Sequence, residues 1–176
     1  MTLFLLLVLA ALSGAISYIS LLPDKFRVAR SIVINAPPEA IYPLINDLQS
    51  WRQWSPWGNG VPATAVEQEG PPLGAGSLAL WSEDRDLGKA KLKIIESSPN
   101  DRVALRLQMS KPSAQIHDLR FDLRPAGEGT EVIWQGSTRL DFMGKAFNAF
   151  KGFEKKTGDR FDAGLKKLKV YVEERV

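Results

Sequence analysis

The sequence predicts an α+β fold in which a curved antiparallel sheet of six or seven strands surrounds a long C-terminal helix, with one transmembrane helix before it. Three observations lead to this fold. Residues 1–22 contain no charged side chain, residues 63–140 alternate apolar and polar positions, and from residue 150 onwards apolar positions recur at steps of three and four. Because 176 residues allow little more than one domain, we divide the chain into a transmembrane anchor, residues 1–23, and a soluble domain, residues 24–176.

The composition excludes several classes of function. The chain has no Cys, so disulfides, thiolate catalysis and zinc sites with Cys ligands are excluded. Its single His excludes metal sites with several His ligands, and the carboxylates show no repeated ligand spacing, so we expect no metal and no cofactor. The 23 Lys and Arg residues are balanced by 20 Asp and Glu residues, which argues against nucleic acid as a partner.

The apolar segment Leu3–Leu22 predicts a transmembrane helix. Its twenty residues would span about 30 Å as a helix, the thickness of the hydrocarbon core of a bilayer. Pro23 and the charged residues after it end the segment. A cleaved signal peptide is the alternative, although no basic residue precedes the apolar run as such peptides usually require.

The distribution of basic residues indicates the orientation of this anchor. The Lys and Arg residues nearest to the segment all follow it, at Lys25, Arg27 and Arg30. Because basic residues favour the cytoplasmic side of a membrane, the soluble domain is expected there.

The soluble domain begins with a strand and a short helix. Residues 26–35 alternate apolar and polar side chains, which predicts a strand. Pro37 and Pro38 end this strand and begin a helix at residues 39–48, since Pro is tolerated in a first helical turn. The apolar stripe of that helix consists of Ile41, Leu44, Ile45 and Leu48.

Five further segments have the period of two that is typical of strands, and Gly- and Pro-rich turns separate them. No helix of useful length fits between them, so they predict an antiparallel meander. Thr64–Glu69 is a weaker sixth candidate. The five segments are Ser77–Ser82, Lys89–Glu96, Arg102–Met109, Gln115–Leu123 and Thr130–Thr138.

The C-terminal segment predicts the helix that covers this sheet. Its apolar residues form one helical face, and three Gly residues on the helix indicate close packing or a bend. A curved sheet that holds one helix tends to leave a space between the two, which is where we look for a site. The residues of the apolar face are Phe150, Phe153, Thr157, Phe161, Leu165, Leu168 and Val172.

Four sequence segments make the soluble domain resemble a known family. RSIVINAPPE at 30–39, IYPLIND at 41–47, WRQWSPW at 51–57 and RFDAGLKKLK at 160–169 are similar to the bacterial polyketide cyclase/dehydrase-like group of the START-like, or SRPBCC, superfamily. The resemblance covers about residues 26–175 and implies a helix-grip fold with a hydrophobic cavity beneath the C-terminal helix. Members use this cavity for lipids, sterols, polyketides and other apolar molecules, and many also have one apolar N-terminal segment.

The resemblance implies no catalytic residue, because no matching motif carries one. It does imply a hydrophobic small molecule or lipid as the partner, and a place in a bacterial inner membrane through residues 3–22. We expect aromatic and inward-facing residues to line the cavity, although each could also pack in a closed core. The candidate ligand-binding residues are Trp54, Trp57, Trp81, His117, Phe121, Trp134, Phe150 and Phe153.

His117 is the one candidate that could also move a proton. It is predicted to lie on the apolar face of its strand with Gln115, Leu119 and Phe121, near one end of the cavity. An imidazole there could orient a ligand carbonyl or act as a general base. The alternative is an ordinary surface or edge histidine.

Three functions stay open at this point. The chain is a membrane-tethered binding module for a hydrophobic molecule, or an enzyme of the cyclase/dehydrase type that uses polar cavity residues such as His117 and Gln115. The third is a structural domain whose own aromatic side chains fill the cavity, and a cavity below about 300 Å³ would favour it.

Overall fold

The computed structural model describes residues 1–57, 66–84, 87–111, 115–151 and 153–175. It confirms the predicted α+β fold, with an N-terminal apolar helix, an antiparallel sheet and a C-terminal helix. The elements are α1 (Thr2–Leu21), β1 (Lys25–Ile34), α2 (Pro38–Asn46), α3 (Trp51–Trp54), β2 (Val66–Glu69), β3 (Leu78–Asp84), β4 (Gly88–Ser98), β5 (Arg102–Met109), β6 (Gln115–Ala126), β7 (Gly129–Arg139), α4 (Phe142–Lys151) and α5 (Phe153–Glu173).

The helix α1 is apolar along its whole length. None of its residues is buried, and its mean hydropathy is 2.2. Among the described residues it is the one helix long and apolar enough to cross a membrane. It ends at Leu21, and Leu22 already has an extended backbone, so the helix matches the predicted apolar segment to within one residue.

The described strands form one antiparallel sheet of seven strands in the order β1-β7-β6-β5-β4-β3-β2. All strands except β1 follow the predicted meander, and β1 closes the far edge by pairing with β7. Register shifts interrupt the pairing at Trp81/Asp84 and at Ile94/Glu96. Such bulges bend a strand and increase its twist, which lets the sheet curve around a helix.

The helix α5 lies in this curve and packs on β1, β7 and α3. Its buried residues Phe161, Leu165, Leu168 and Val172 all belong to the predicted apolar face. The result is the helix-grip arrangement that the resemblance implies. The predicted helix differs in one respect, because residues up to Lys151 belong to the separate helix α4, which the sequence analysis did not identify.

Close packing explains one of the three Gly residues on the C-terminal helix, Gly164. A side chain on Gly164 would place its Cβ 2.8 Å from both Pro56 Cδ and Trp134 Cζ3. At Gly158 the near neighbour is the guanidinium group of Arg30, which reaches across from β1 to pair with Asp162 at 3.1 Å, so a side chain there would displace the end of a flexible residue. The third, Gly152, lies outside the described residues.

Candidate functional site

Aromatic side chains fill one part of the space between the sheet and α5. We call these six rings the aromatic cluster. Trp134 on β7 lies at its centre, with its ring centroid 4.1 Å from that of Phe161 and 4.7 Å from that of Phe121, both in stacked geometry. The members of the cluster are Trp51, Trp54, Trp57, Phe121, Trp134 and Phe161.

The short helix α3 brings two of these rings into the interior. Trp51 donates its indole N–H to the carbonyl oxygen of Ile45 at 2.9 Å, and Trp54 donates to that of Leu44 at 3.2 Å. Both rings are buried, and each polar N–H has a partner, so they satisfy the requirement for burying Trp. The part of the space between the sheet and α5 that they occupy is therefore a closed core.

A cavity of about 200 Å³ remains next to the aromatic cluster, and we call it the α5 cavity. It lies between the sheet and the first turns of α5 and is partly open to the outside. Its sheet side consists of Phe26, Val28, Leu87, Leu107, Met109, His117, Leu119 and Gly136. Its other side consists of Trp57, Lys156, Thr157, Arg160 and Phe161, of which Trp57 and Phe161 also belong to the aromatic cluster.

Strand register fixes where this cavity lies along the sheet. Phe26 pairs with Thr138, Thr138 with His117, and His117 with Leu107, so these residues form one row across four strands. Phe121 lies four residues beyond His117 on β6, which is about 13 Å, and its partner Trp134 lies beside it on β7. The cavity thus occupies the end of the sheet where β1 begins, and the aromatic cluster occupies the region beyond it.

His117 is the titratable side chain inside the cavity. It is 9% exposed, and its Nε2 lies 3.0 Å from Oε1 of Gln115. Burial lowers the pKa of His117 to about 4, and the nearby charge of Asp118 opposes this shift only in part. The ring is therefore neutral at pH 7. Because an amide oxygen can only accept, Nε2 carries the ring proton in this bond and Nδ1 is the acceptor.

The α5 side of the cavity adds positive charge at the opening. Lys156 and Arg160 are exposed and lie one helical turn apart, with Thr157 between them. None of the described lining residues carries a carboxylate. The cavity thus has an apolar interior with one neutral imidazole, and a basic rim.

The structure distributes the predicted site residues over three places. Trp57 and His117 line the α5 cavity. Trp54, Phe121 and Trp134 lie in the aromatic cluster and are not among the cavity's lining residues.

The other predicted site residues lie elsewhere. Trp81 lines two neighbouring hollows, one of about 440 Å³ that shares Met109 with the cavity and one of about 310 Å³ that shares Trp57. The side chains of Phe150 and Phe153 lie outside the described part of the structure. Contact of any of these residues with a ligand stays a prediction.

Sequence reasoning missed the polar residues of the rim. The sequence analysis does not name Lys156 or Arg160, yet both flank the buried stripe that contains Phe161. Their spacing of four residues, with Thr157 on the apolar stripe between them, was the available signal. Gly136 was missed because it has no side chain to mark a face.

Comparison with known proteins adds a family and a fold. A family model described as "Polyketide cyclase / dehydrase and lipid transport" matches residues 25–173. No curated protein matches the chain.

Solved structures match across most of the chain at low sequence identity. A protein of Rhizobium leguminosarum superposes with a TM-score of 0.64 at 14% identity, covering 86% of this chain and 97% of its own. The Aha1 dimer from Colwellia psychrerythraea gives 0.60 at 19% identity, covering 84% and 96%. CalU16 from Micromonospora echinospora gives 0.55 at 14% identity, covering 85% of each chain. At such identities these likenesses concern the fold alone.

Proposed function

The chain belongs to the polyketide cyclase/dehydrase and lipid transport family, and from this we propose that it binds a lipid-like or other hydrophobic small molecule in the α5 cavity while α1 tethers it to a membrane. The family's SRPBCC fold is a ligand-binding fold, which gives the general class of activity. The nature of the ligand and the tether are our proposal.

The chemistry of the α5 cavity is the observation that carries the proposal. Leu107, Leu119, Val28 and Phe26 supply an apolar wall that water does not solvate well. His117 is neutral there and adds a hydrogen-bonding group without a charge. A few polar groups in a mostly apolar hollow are typical of sites for small hydrophobic ligands.

The size of the cavity limits what can bind. At about 200 Å³ it is smaller than the usual range for ligand pockets, which begins at about 300 Å³. A ligand is therefore small, or it leaves part of its length outside. The hollows that adjoin the cavity at Trp57 and Met109 offer space for such a part.

The tether rests on α1 and on the short connection that follows it. Only residues 22–24 separate α1 from β1, so the sheet begins directly at the end of the apolar helix. The basic residues Lys25, Arg27 and Arg30 on β1 favour the cytoplasmic side, in keeping with the inner membrane of a bacterium. A cleaved signal peptide remains the competing explanation of the apolar helix.

Photolabelling tests ligand binding on the full chain in a bilayer. We would incorporate the protein into nanodiscs of phosphatidylethanolamine and phosphatidylglycerol, add a diazirine-bearing octanol, irradiate, and map the labelled peptides by mass spectrometry. Labels on residues of β1, β5, β6 and α5 that line the cavity support the proposal. Labels confined to α1, where any membrane-dissolved alcohol reacts, contradict it.

Neighbouring residues of β7 provide a matched pair of variants. Gly136 faces the cavity, and a Cβ on it would lie 2.9 Å from Phe161 Cζ, whereas Ser137 points to the opposite face of the sheet. Gly136→Val should abolish labelling of the cavity, and Ser137→Val should leave it unchanged. If Gly136→Val does not fold, Leu107→Phe narrows the cavity from β5 and replaces it in the experiment.

An enzyme of the cyclase/dehydrase type is the second candidate, because His117 is neutral and enclosed as a general base requires. Its pKa of about 4 argues against this role, since a base that weak drives proton abstraction poorly at neutral pH. His117 is better suited to accept a hydrogen bond from a bound molecule at Nδ1. The Gln115 contact then serves to hold the imidazole in one tautomer.

A closed structural domain is the third candidate, and the aromatic cluster favours it. The six rings fill their part of the space between the sheet and α5. The remaining α5 cavity, at about 200 Å³, is smaller than the limit of about 300 Å³ below which this alternative is favoured. A protein that takes up no photolabel in the cavity, with a stable fold, would belong to this class.

A further inference from the structure

Three contacts hold the start of α4 at the end of α1. Lys145 donates from Nζ to the carbonyl oxygen of Ser20 at 3.0 Å, in the last turn of α1. Just before α4, Leu140 donates its backbone N–H to the carbonyl oxygen of Asp24 at 2.7 Å, and Arg139 Nε lies 3.3 Å from Oδ2 of the same Asp24. The end of the apolar helix and the start of α4 therefore lie side by side.

Two large apolar side chains are exposed in the first turn of α4. Phe142 is 42% exposed and Met143 is 72% exposed. Asp141 accepts a hydrogen bond from the backbone N–H of Gly144 at 2.7 Å, so this turn is a capped and ordered helix start. Single exposed apolar residues are common in soluble proteins, so the significance of this pair depends on its position.

That position coincides with the expected boundary of the bilayer. Ser20 lies within the apolar segment, and the first charged residue after it is Asp24, so the hydrocarbon region must end between them. A side chain that reaches Ser20 is thus at the depth of the headgroups. Lys145 suits that depth, because a long basic side chain can keep its apolar stem below and its charge at the interface.

We propose that the first turn of α4 lies in the membrane interface, with Phe142 and Met143 inserted among the lipid chains and Lys145 among the headgroups. The partner is the bilayer that α1 crosses, so this inference rests on the proposed tether. Apolar residues on one face with a basic residue beside them are the composition of interfacial helices.

This arrangement brings the α5 cavity to the membrane surface. Phe26 lines the cavity and lies five residues after the end of α1. Lys156 and Thr157 on its rim follow the end of α4 by five and six residues. The opening is thus at the end of the domain that α1 and α4 hold against the lipid, and a hydrophobic ligand can pass between bilayer and cavity with little exposure to water.

Because the natural chain has no Cys, single introduced Cys residues can carry spin labels without background. We would label the full-length variants Met143→Cys, Leu9→Cys and Val33→Cys in liposomes of phosphatidylethanolamine and phosphatidylglycerol. Power-saturation electron paramagnetic resonance then compares accessibility to oxygen, which concentrates in lipid, with accessibility to a water-soluble nickel chelate. Leu9 reports the middle of α1, and Val33, 45% exposed, reports the opposite end of β1.

The expected result is a label at Met143 that favours oxygen, as the label at Leu9 does, and a label at Val33 that favours the nickel chelate. Phe142→Cys should repeat the result for Met143→Cys. If Leu9 favours oxygen while Met143 and Phe142 behave as Val33 does, the interfacial helix is wrong and the tether stands. If Leu9 itself favours the nickel chelate, the tether fails and the inference fails with it.

Discussion

Trp134 on β7 and Phe161 on α5 stack face to face, with their ring planes 3° apart and their centroids 4.1 Å apart. This contact joins the sheet to the helix at the border between the aromatic cluster and the α5 cavity, because Phe161 belongs to both. The ring of Phe161 is 1% exposed, so the cavity ends against it. Phe161 thus stabilises the packing of α5 on the sheet and limits the length of the α5 cavity.

The first prediction concerns this ring. Phe161→Ala should lower the free energy of unfolding by about 3–5 kcal/mol, the cost usual for removing a buried Phe, and should lengthen the cavity towards Trp134. Thermal unfolding in detergent, followed by near-ultraviolet circular dichroism, measures the loss. Leu73→Ala is the control, since Leu73 is 56% exposed and its removal should cost less than about 0.5 kcal/mol. Equal losses in the two variants would contradict a central role for the Trp134–Phe161 stack.

The sequence alone predicted which way the side chains of β6 point. A period of two is a local property, so His117, Leu119 and Phe121 could be assigned to one face, and all three are buried there. It could not predict that Phe121 would lie in a filled core and His117 in a hollow. That distinction depends on which residue of α5 lies over each strand position, and Phe161 and Gly136 settle it only once the chain is folded.

The helix α4 also escaped the sequence analysis, for a physical reason. Its first apolar residues, Phe142 and Met143, are exposed, so they do not extend the buried face from which the sequence analysis predicts the C-terminal helix. Asp141 as an N-cap was the available signal. The position of α4 against α1 depends on contacts between residues about 120 positions apart in the sequence, such as Lys145 with Ser20, which no local pattern contains.

The second prediction concerns Gly164. Replacing it with Ala should destabilise the protein although Ala favours helix by about 1 kcal/mol, because the new methyl would lie 2.8 Å from Pro56 Cδ and Trp134 Cζ3. Overpacking of this kind costs about 1–3 kcal/mol. The thermal midpoint measures it. Gly14→Ala in α1 is the control, since nothing lies within 4 Å of its Cβ, and it should not lower the midpoint. A Gly164→Ala variant more stable than the native protein would show that α5 can move away from the sheet.

The third prediction compares the ion pairs of two carboxylates on β6, Asp118 and Asp122, which lie four residues apart. The side chain of Asp122 is 6% exposed and lies 2.8 Å from Arg102 Nε and 2.9 Å from Arg120 Nε, and its hydrogen bond raises the pKa of Arg102. Asp122→Asn should cost about 1–3 kcal/mol, because it removes the charge that both guanidinium groups share. Asp118→Asn is the matched control. Asp118 pairs with Arg106 at 2.9 Å, and the side chains are 63% exposed for Asp118 and 49% exposed for Arg106. Such an exposed pair should contribute less than about 1 kcal/mol.

Chemical denaturation of the three proteins at pH 7 distinguishes the two positions. A loss at Asp118 as large as that at Asp122 would contradict the argument from burial. Raising the salt concentration provides a second comparison, because salt screens the exposed pair more than the buried carboxylate. The difference between the two variants should therefore persist at high salt.

The last prediction is a pH dependence that His117 imposes on stability. Its pKa is about 4 in the folded protein and about 6.5 when unfolded, so between these values the unfolded chain binds more protons. The contribution of His117 to the free energy of unfolding is then fully present above pH 6.5 and is lost as the pH drops towards 4. The loss between pH 7 and pH 5 is about 2 kcal/mol. His117→Gln should remove this slope, which unfolding measurements at pH 5, 6 and 7 would detect. An unchanged slope would place the imidazole in contact with water, and the apolar character of the α5 cavity would then be wrong.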